Sequence, residues 1–583
     1  MKLGKLLKTT GVCHNHNRSS KQLLNHMHIV VKALMLIILM LIFTLQNVYA
    51  QTEFSKDGGV YTTLLNDLQH LLRDGKRLRT VTLDGKERRM FVSWVRDHTH
   101  TMKAYKYWEQ DLGSFIEFFL GRQTPTGMYF DYSMSYKNNN VGQLYFTNIF
   151  DNQFYFVDVN NQRFFFRMPI EADLEYILVE GVYTYWQATG DTAFVSKWLP
   201  TLEKGLKYEM TDPLRWSKEY LMVMRPYSID TWDFTSEPDS LKDNARLLYH
   251  IGNDENTPKG IMHGDNSGMY QACNQISTLY SVTGNPDKAR EWDLEGQVFR
   301  QKLNTICWNG RFYSQYVPVD PIPSHIKFDP DVLSLSNTYT MNRGATTPEM
   351  AASIIETYRE VGEKTQSESM APWYGIYPPV EPQFGKYKSG EYVNGAIIPL
   401  VGGELTKAAF RYGYEAFAVQ QLGLLDKIMA KNNRDLPGCI NLDGTVQAEA
   451  IPDEWGQAAF VSALVEGLAG VVDQDVGFRQ VELSPRWLFA GVNKIDVTIG
   501  YRGDGEQVKY TYTFDPDKKT MTIVTGGKFE DYTLRAPYPA NTVSATATVN
   551  GLPVEVTTDQ VNQSRYAVVR GSGAGNAVAY RFE

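Results

Sequence analysis

The sequence predicts a mainly helical chain that ends in a small antiparallel β-sandwich, and three observations carry that prediction. Apolar residues recur at helical spacing from Val60 to about Val472, a helical-hairpin signature occurs twice within that stretch, and the period becomes two beyond Arg479. The chain has 583 residues with 58 Lys+Arg, 66 Asp+Glu, 13% aromatics and 21% charge, which excludes collagen, coiled coil and a disordered chain. A formal charge of −8 argues against nucleic-acid binding. Four cysteines, Cys13, Cys273, Cys307 and Cys439, are too few and too scattered for a disulfide framework or a paired metal site.

Residues 1–50 differ from the rest. They hold six Lys/Arg, no acid, and a 13-residue stretch from Ala33 to Leu45 that is apolar but for Thr44. The run is shorter than the ~20 residues a membrane span needs, and Val48-Tyr49-Ala50 offers small or modest residues at cleavage offsets. We read a secretory leader cleaved after Ala50, with translation starting at Met1 or Met27. Its removal takes the formal charge from −8 to −14. The expected product is periplasmic or secreted, with no stable membrane span.

In the helical region Ile170, Leu174, Ile177 and Leu178 share one face. The repeated hairpin signature places Thr189-Gly190-Asp191 between Trp186 and Trp198, and Thr283-Gly284-Asn285 between Tyr280 and Trp292. Gly ends one helix in the left-handed conformation, and Asp or Asn accepts the free N–H groups that begin the next. Further helices are expected over 55–73, 97–120, 201–210, 286–303, 347–360, 404–424 and 456–470. Ten to twelve helices in roughly 420 residues suit a helical toroid.

Lys494–Ile499, Val508–Phe514 and Thr520–Val524 alternate as strands, with turns at Asp515-Pro516-Asp517, Gly526-Gly527 and Asn550-Gly551. The boundary falls between 472 and 482, giving a helical domain over 51–475 and a sandwich over 476–583.

Three clusters join carboxylates to aromatics at loops or helix starts. In Trp94-Val95-Arg96-Asp97-His98, Arg96 and Asp97 suit a pair of vicinal hydroxyls with Trp94 as an apolar platform, and they equally suit a structural ion pair at a helix N-terminus. In Tyr227–Asp239, a carboxyl at Asp233 between Trp232 and Phe234 is placed for desolvation and so for proton donation, while capping or an Asx turn is the plainer role. In Gln447–Gln457, Glu449 or Glu454 beside Trp455 suits activation of water, and first-turn acids also favour a helix dipole. Sequence does not separate the two glutamates. His263-Gly264-Asp265-Asn266 opens a helix, where capping by Asp265 or Asn266 competes with lining a cavity. Trp373 in Trp373–Pro378 offers a sugar-stacking wall or ordinary packing. His98 and His100 do not share a helix face, so no metal is expected, and no Gly-rich phosphate loop calls for a nucleotide cofactor.

The clusters occur in the order found in the six-hairpin (α/α)6-barrel glycosidases. Trp94-Val95-Arg96-Asp97 resembles the Trp-x-Arg-Asp of glucoamylases, whose Arg and Asp hold the sugar. Thr231-Trp232-Asp233-Phe234-Thr235-Ser236 resembles the Gly-Trp-Asp-Phe-Ser of trehalases and mannosyl-oligosaccharide glucosidases, where the Asp is the general acid. Tyr392-Val393-Asn394-Gly395 is similar to their Tyr-Trp-x-Gly loop, with Val393 in place of Trp, and the Glu449/Glu454 segment stands where their base is found without the Glu-x-Tyr-x-Pro wording. Val481–Trp487 is similar to the start of the β-sandwich in maltose-phosphorylase-like and rhamnosidase-like members.

The resemblance implies an (α/α)6 toroid with a C-terminal antiparallel β-sandwich, acting on an oligosaccharide or glycan. Asp233 would protonate the glycosidic oxygen and Glu449 or Glu454 would activate water, in an inverting hydrolysis without a cofactor. Trp94, Arg96, Asp97, Trp232, Trp373, Tyr392, Asn394 and Trp455 are the expected sugar contacts. A phosphorylase on the same fold, a polysaccharide lyase and a glycan-binding protein without the acid–base pair are the competing readings.

Overall fold

The computed structural model describes residues 52–75, 78–135, 154–230, 253–322, 324, 329–385, 387–447, 454–502 and 507–583. Among these residues there are twelve α-helices. The first six are α1 (Val60–Arg73), α2 (Val95–Tyr105), α3 (Ser114–Leu120), α4 (Leu174–Thr189), α5 (Thr192–Glu209) and α6 (His263–Val282). The second six are α7 (Pro286–Lys302), α8 (Ser336–Asn342), α9 (Pro348–Thr365), α10 (Pro399–Arg411), α11 (Glu415–Lys431) and α12 (Glu454–Ser462). The even-numbered helices pack in succession, α2 on α4, α4 on α6, α6 on α8, α8 on α10 and α10 on α12, and α12 returns to α2. The odd-numbered helices pack on members of that cycle: α1 on α12, α3 and α5 on α4, α7 on α6, and α9 and α11 on α10.

Burial follows this division. Every residue of α12 is buried, as is Ser336–Met341 of α8, because these helices are covered on all sides. Helix α7 buries only Ala289, Trp292, Gly296 and Phe299, the three-to-four spacing of a helix with one face to solvent. Gly403 lets α10 and α12 approach closely: a Cβ there would overlap Ala459.

The two repeated hairpins turn out unlike in detail. Gly190 has φ 70° and ends α4, and Asp191 accepts the Phe194 N–H at 2.9 Å to start α5, as the sequence predicts. Gly284 has φ 81°, but Asn285 makes no side-chain cap. Its amide is turned back to Thr283 O at 3.1 Å, and Pro286, preset for the first helical turn, starts α7. The single helices expected over 97–120 and 404–424 are each two, α2 with α3 and α10 with α11, divided where the chain turns between neighbours.

Strands follow α12 and its π-helical continuation Ala463–Leu468. One sheet has seven strands in the order Glu53–Phe54, Lys494–Ile499, Val508–Asp515, Thr520–Gly527, Ala577–Phe582, Ala545–Val549 and Leu552–Val554. The other has five: Val471–Asp473, Gln480–Leu483, Asp531–Pro537, Ser564–Ser572 and Thr557–Val561. Alternate residues are buried, such as Tyr510, Tyr512 and Phe514 in one sheet and Tyr532, Leu534 and Ala536 in the other.

The sandwich is not wholly antiparallel: Gln480–Leu483 runs parallel to Asp531–Pro537. The chain leaves one sheet, makes three strands of the other and re-enters alongside, a crossover that only a long connection permits. The first described residues also belong to this region, since Glu53 pairs with Thr498 and the Thr52 hydroxyl donates to Gly500 O at 3.1 Å. Tyr510 donates to Ala469 O at 2.7 Å and Arg486 to Gly467 O at 2.6 Å, joining the sandwich to the end of the helical region. No helix among the described residues is long and apolar enough to cross a membrane.

Candidate active site

The first turn of α2 and the approach to α4 build an acidic interior. Trp94 is extended (φ −86°, ψ 131°), so the helix begins at Val95 and Arg96 projects from its first turn. The Arg96 guanidinium donates to Asp173 at 2.5 and 3.0 Å and to Glu171 at 2.9 Å, and lies 4.0 Å from Asp131. Asp173 occupies the position before α4 but does not cap it, so its carboxylate is available to Arg96. Glu171 also accepts the Met168 N–H at 3.0 Å, and Asp131 accepts the Arg96 N–H at 3.4 Å.

Burial works to lower the Arg96 guanidinium, but Asp173, Asp131 and Glu171 outweigh it and hold it well above its ordinary value. Burial and then Glu171 push the Asp131 carboxyl well above the ordinary carboxylate range, against the pull of Arg96. One guanidinium thus faces three carboxylates, and at least one of them favours its proton.

A second buried pair adjoins it. Asn266 in the first turn of α6 brackets the Val223 backbone with two 2.9 Å bonds, fixing the strand Met222–Pro226 against the helix. Arg225, two residues on, therefore reaches Asp265, Nη1 to Oδ1 3.6 Å, and both side chains are 0% exposed. Burial pushes Asp265 up to about 7, with Asp173 and Asp230 acting the same way and Arg225 and Arg215 opposing. His263 lies with Nδ1 3.0 Å from Ser314 O, and burial lowers it to about 4. Asp230, with φ 50°, accepts the Ser336 N–H at 2.9 Å and its hydroxyl as well, tying the chain to α8 three residues before Asp233.

Of the residues expected from sequence, Asp233, Trp232 and Glu449 lie outside the described residues. Arg96 is in the acidic cluster, and Asp97 contributes to the rise of the Asp131 pKa from the same turn. Trp94 is half-buried and lies against Tyr132, ring centroids 4.2 Å apart. Trp455 is 6% exposed and meets His100 edge to face at 4.6 Å. Tyr392, with φ 47°, donates its N–H to Gln447 at 3.1 Å and packs its ring on Tyr387.

Three other expected residues are engaged within the packing. Glu454 accepts the Tyr105 hydroxyl at 3.1 Å beside Gly75, just past the end of α1, an orientation set by packing of α12 on α1. Trp373 is 0% exposed, donates to Gln421 at 2.9 Å and packs on Gly402, so it is core and not a stacking wall. Asn394 spends its side chain on the backbone of Val380 and on Tyr387 O, at 2.7 to 3.1 Å, bracing its own loop. The capping reading of Asp265 and Asn266 also gives way, because Asp265 pairs with Arg225 and Asn266 holds Val223. Sequence reasoning missed Asp131, Glu171, Asp173 and Arg225. A Glu-x-Asp step immediately before an apolar helix was the signal for two of them. Among the described residues no three His, Cys, Asp or Glu side chains are grouped to hold a metal ion.

No family model matches the chain, and no curated protein matches it by sequence. Solved structures do match. The α-L-rhamnosidase of Dictyoglumus thermophilum has a TM-score of 0.53 and 12% identity over 89% of this chain and 49% of its own. A GH78 family rhamnosidase of Bacillus sp. GL1 has 0.53 and 14% over 84% and 43%. The Streptomyces avermitilis α-L-rhamnosidase, solved with L-rhamnose, has 0.51 and 13% over 89% and 41%. The chain spans less than half the length of these enzymes. At such identity the likeness is one of fold.

Proposed function

We propose that the chain is an exported glycosidase with an (α/α)6 toroid over 51–475, a sandwich over 476–583 and a cleaved leader over 1–50. The observation that carries the reading is the acidic end of the helix cycle, where Arg96 is outnumbered by Asp131, Glu171 and Asp173. Carboxyls driven apart in proton affinity by their surroundings are what acid–base cleavage of a glycoside uses. The fold shared with rhamnosidases supports it and puts an α-L-rhamnoside first among substrates to try.

In this reading Asp233 protonates the glycosidic oxygen as the bond to the anomeric carbon breaks, and Glu449 takes a proton from the water attacking the opposite face. Glu454 is the weaker choice for the base, being held by Tyr105. Inversion asks for ~6.5–9.5 Å between the two carboxyls.

A panel of aryl glycosides and natural glycans, with the first anomer followed by NMR, tests the proposal. Cleavage with inversion is expected, and Asp233→Asn is expected to slow it by about 10²–10⁴-fold without loss of fold. No cleavage across the panel would remove the reading. Turnover that depends on added phosphate would replace hydrolysis by phosphorolysis.

A further inference from the structure

Buried polar side chains in folded proteins nearly always have hydrogen-bond partners, so a pair of neighbouring ones without partners asks for an explanation. Both oxygens of Asp265 are buried and, among the described residues, receive no hydrogen bond, Arg225 at 3.6 Å being the ion-pair partner. The Tyr176 hydroxyl on α4 is likewise buried and has no hydrogen bond among the described residues. Its ring lies on Gly268, one turn along α6 from Asp265, where any side chain would collide with it. The carboxyl and the phenol therefore sit side by side where α4 meets α6. Leaving such groups unmet is costly, and neither solvent nor any described residue supplies the partner.

We propose that Asp265 and Tyr176 bind a hydroxyl of a neutral sugar unit, which makes Asp265 a substrate-binding residue of the glycosidase. The inference rests on the glycosidase reading and takes the cavity-lining alternative for Asp265, adding Tyr176, which no motif supplies. A protonated carboxyl offers one donor and one acceptor, and the phenol the same, which matches a sugar hydroxyl that both gives and takes a bond. Among the described residues the charged and titratable groups acting on the pair are Arg225, Arg215 and Arg343, Asp173, Asp230 and Tyr316, and with burial they keep the Asp265 carboxyl protonated up to near neutrality. Burial holds Tyr176 well above its ordinary value, so it stays protonated throughout. The grip is thus a neutral one at mildly acidic pH and loses its carboxyl donor as pH rises.

The test uses the full chain and its Asp265→Asn and Asp265→Leu variants, each checked for fold by circular dichroism. L-Rhamnose, D-mannose and D-glucose are the probes, with dissociation constants measured by NMR titration at pH 5.5 and 8.5. For the best-bound sugar, the unaltered chain is expected to bind about tenfold more weakly at pH 8.5, the worth of one hydrogen bond. Asp265→Asn, which keeps a donor and an acceptor at every pH, should bind as the unaltered chain does at pH 5.5 and lose the pH dependence. Asp265→Leu should bind about tenfold or more weakly at both pH values. The inference is overturned if the leucine variant binds normally, or if the asparagine variant keeps the alkaline weakening. The asparagine result decides alone should the leucine variant not fold. Cleavage of glycosides alongside normal binding by Asp265→Leu would sink this inference and leave the glycosidase standing, whereas a chain that neither binds nor cleaves any sugar sinks both.

Discussion

The two ends of the helix cycle carry ion networks of opposite balance, one buried and one half-buried. At the start of α2 one guanidinium, Arg96, meets three carboxylates. Past its end one carboxylate, Glu466, meets two ammonium groups, Lys106 at 2.8 Å and Lys407 at 2.5 Å, with the Tyr107 hydroxyl at 3.2 Å. The second network is closed: Lys407 also reaches Ser462, and Lys106 lies over the rings of Tyr107 and Tyr501, the latter from the sandwich. It ties helices to sheet. Among the described residues the first network holds more carboxylates than cations, with Asp265 as its neighbour, and that balance is what sets the two ends apart.

The sharpest way to break the comparison is Arg96→Met, which strands three buried carboxylates. A loss of about 3–5 kcal/mol is expected in urea unfolding, the cost of leaving a buried charge unpaired. A neutral outcome would mean the cluster is already protonated or wet. Glu466→Gln should cost less, about 2 kcal/mol, since the single amide oxygen still accepts a bond from one of the two lysines.

The same variant separates the ends by pH. Burial would raise Glu466, but Lys106 and Lys407 overcome it and hold it below the ordinary carboxylate range. The stability it contributes is present above about pH 4.3 and is lost as pH falls, and Glu466→Gln should flatten that acid limb of a thermal-melting series. Asp265, raised to about 7, acts in the reverse sense: its contribution is greatest below about pH 3.9 and declines as pH climbs toward 7.

The smallest expected effects lie in the two hairpins. Asp191→Ala should lose about 1 kcal/mol with the cap on Phe194, while Asn285→Ala, whose side chain caps nothing, should stay within about 0.5 kcal/mol in the same denaturation measurement. Equal losses would show that the repeated Gly-polar signature acts by backbone geometry alone.

That pair of hairpins also shows how far the sequence could be read. The glycine positions were legible because φ near +70° to +80° is a local demand that only glycine meets without strain. Whether the next residue caps was not legible, because Pro286 presets the turn and frees the Asn285 amide. In the site, Arg96 and Asp97 were legible as a motif, and Asp131, Glu171 and Asp173 were not. The carboxylates that meet Arg96 stand 35 to 77 positions along the chain. Trp373 misled for the reverse reason: an aromatic run in a loop has the composition of a sugar wall, and only Gly402 beneath it shows that the ring packs inward.

By itself the sequence determined the helical and strand regions, the hairpin glycines and the acidic, aromatic character of the segments around Arg96 and Asp233. Those are set by periodicity and by local backbone demands, which act within a few residues. The tertiary structure decided which carboxylates share one guanidinium, that Glu454 accepts from Tyr105, and that Asp265 is buried beside Arg225 without a hydrogen bond among the described residues. Charge pairing and desolvation depend on distance through space, and only the packing of α2, α4, α6 and α12 on one another sets those distances.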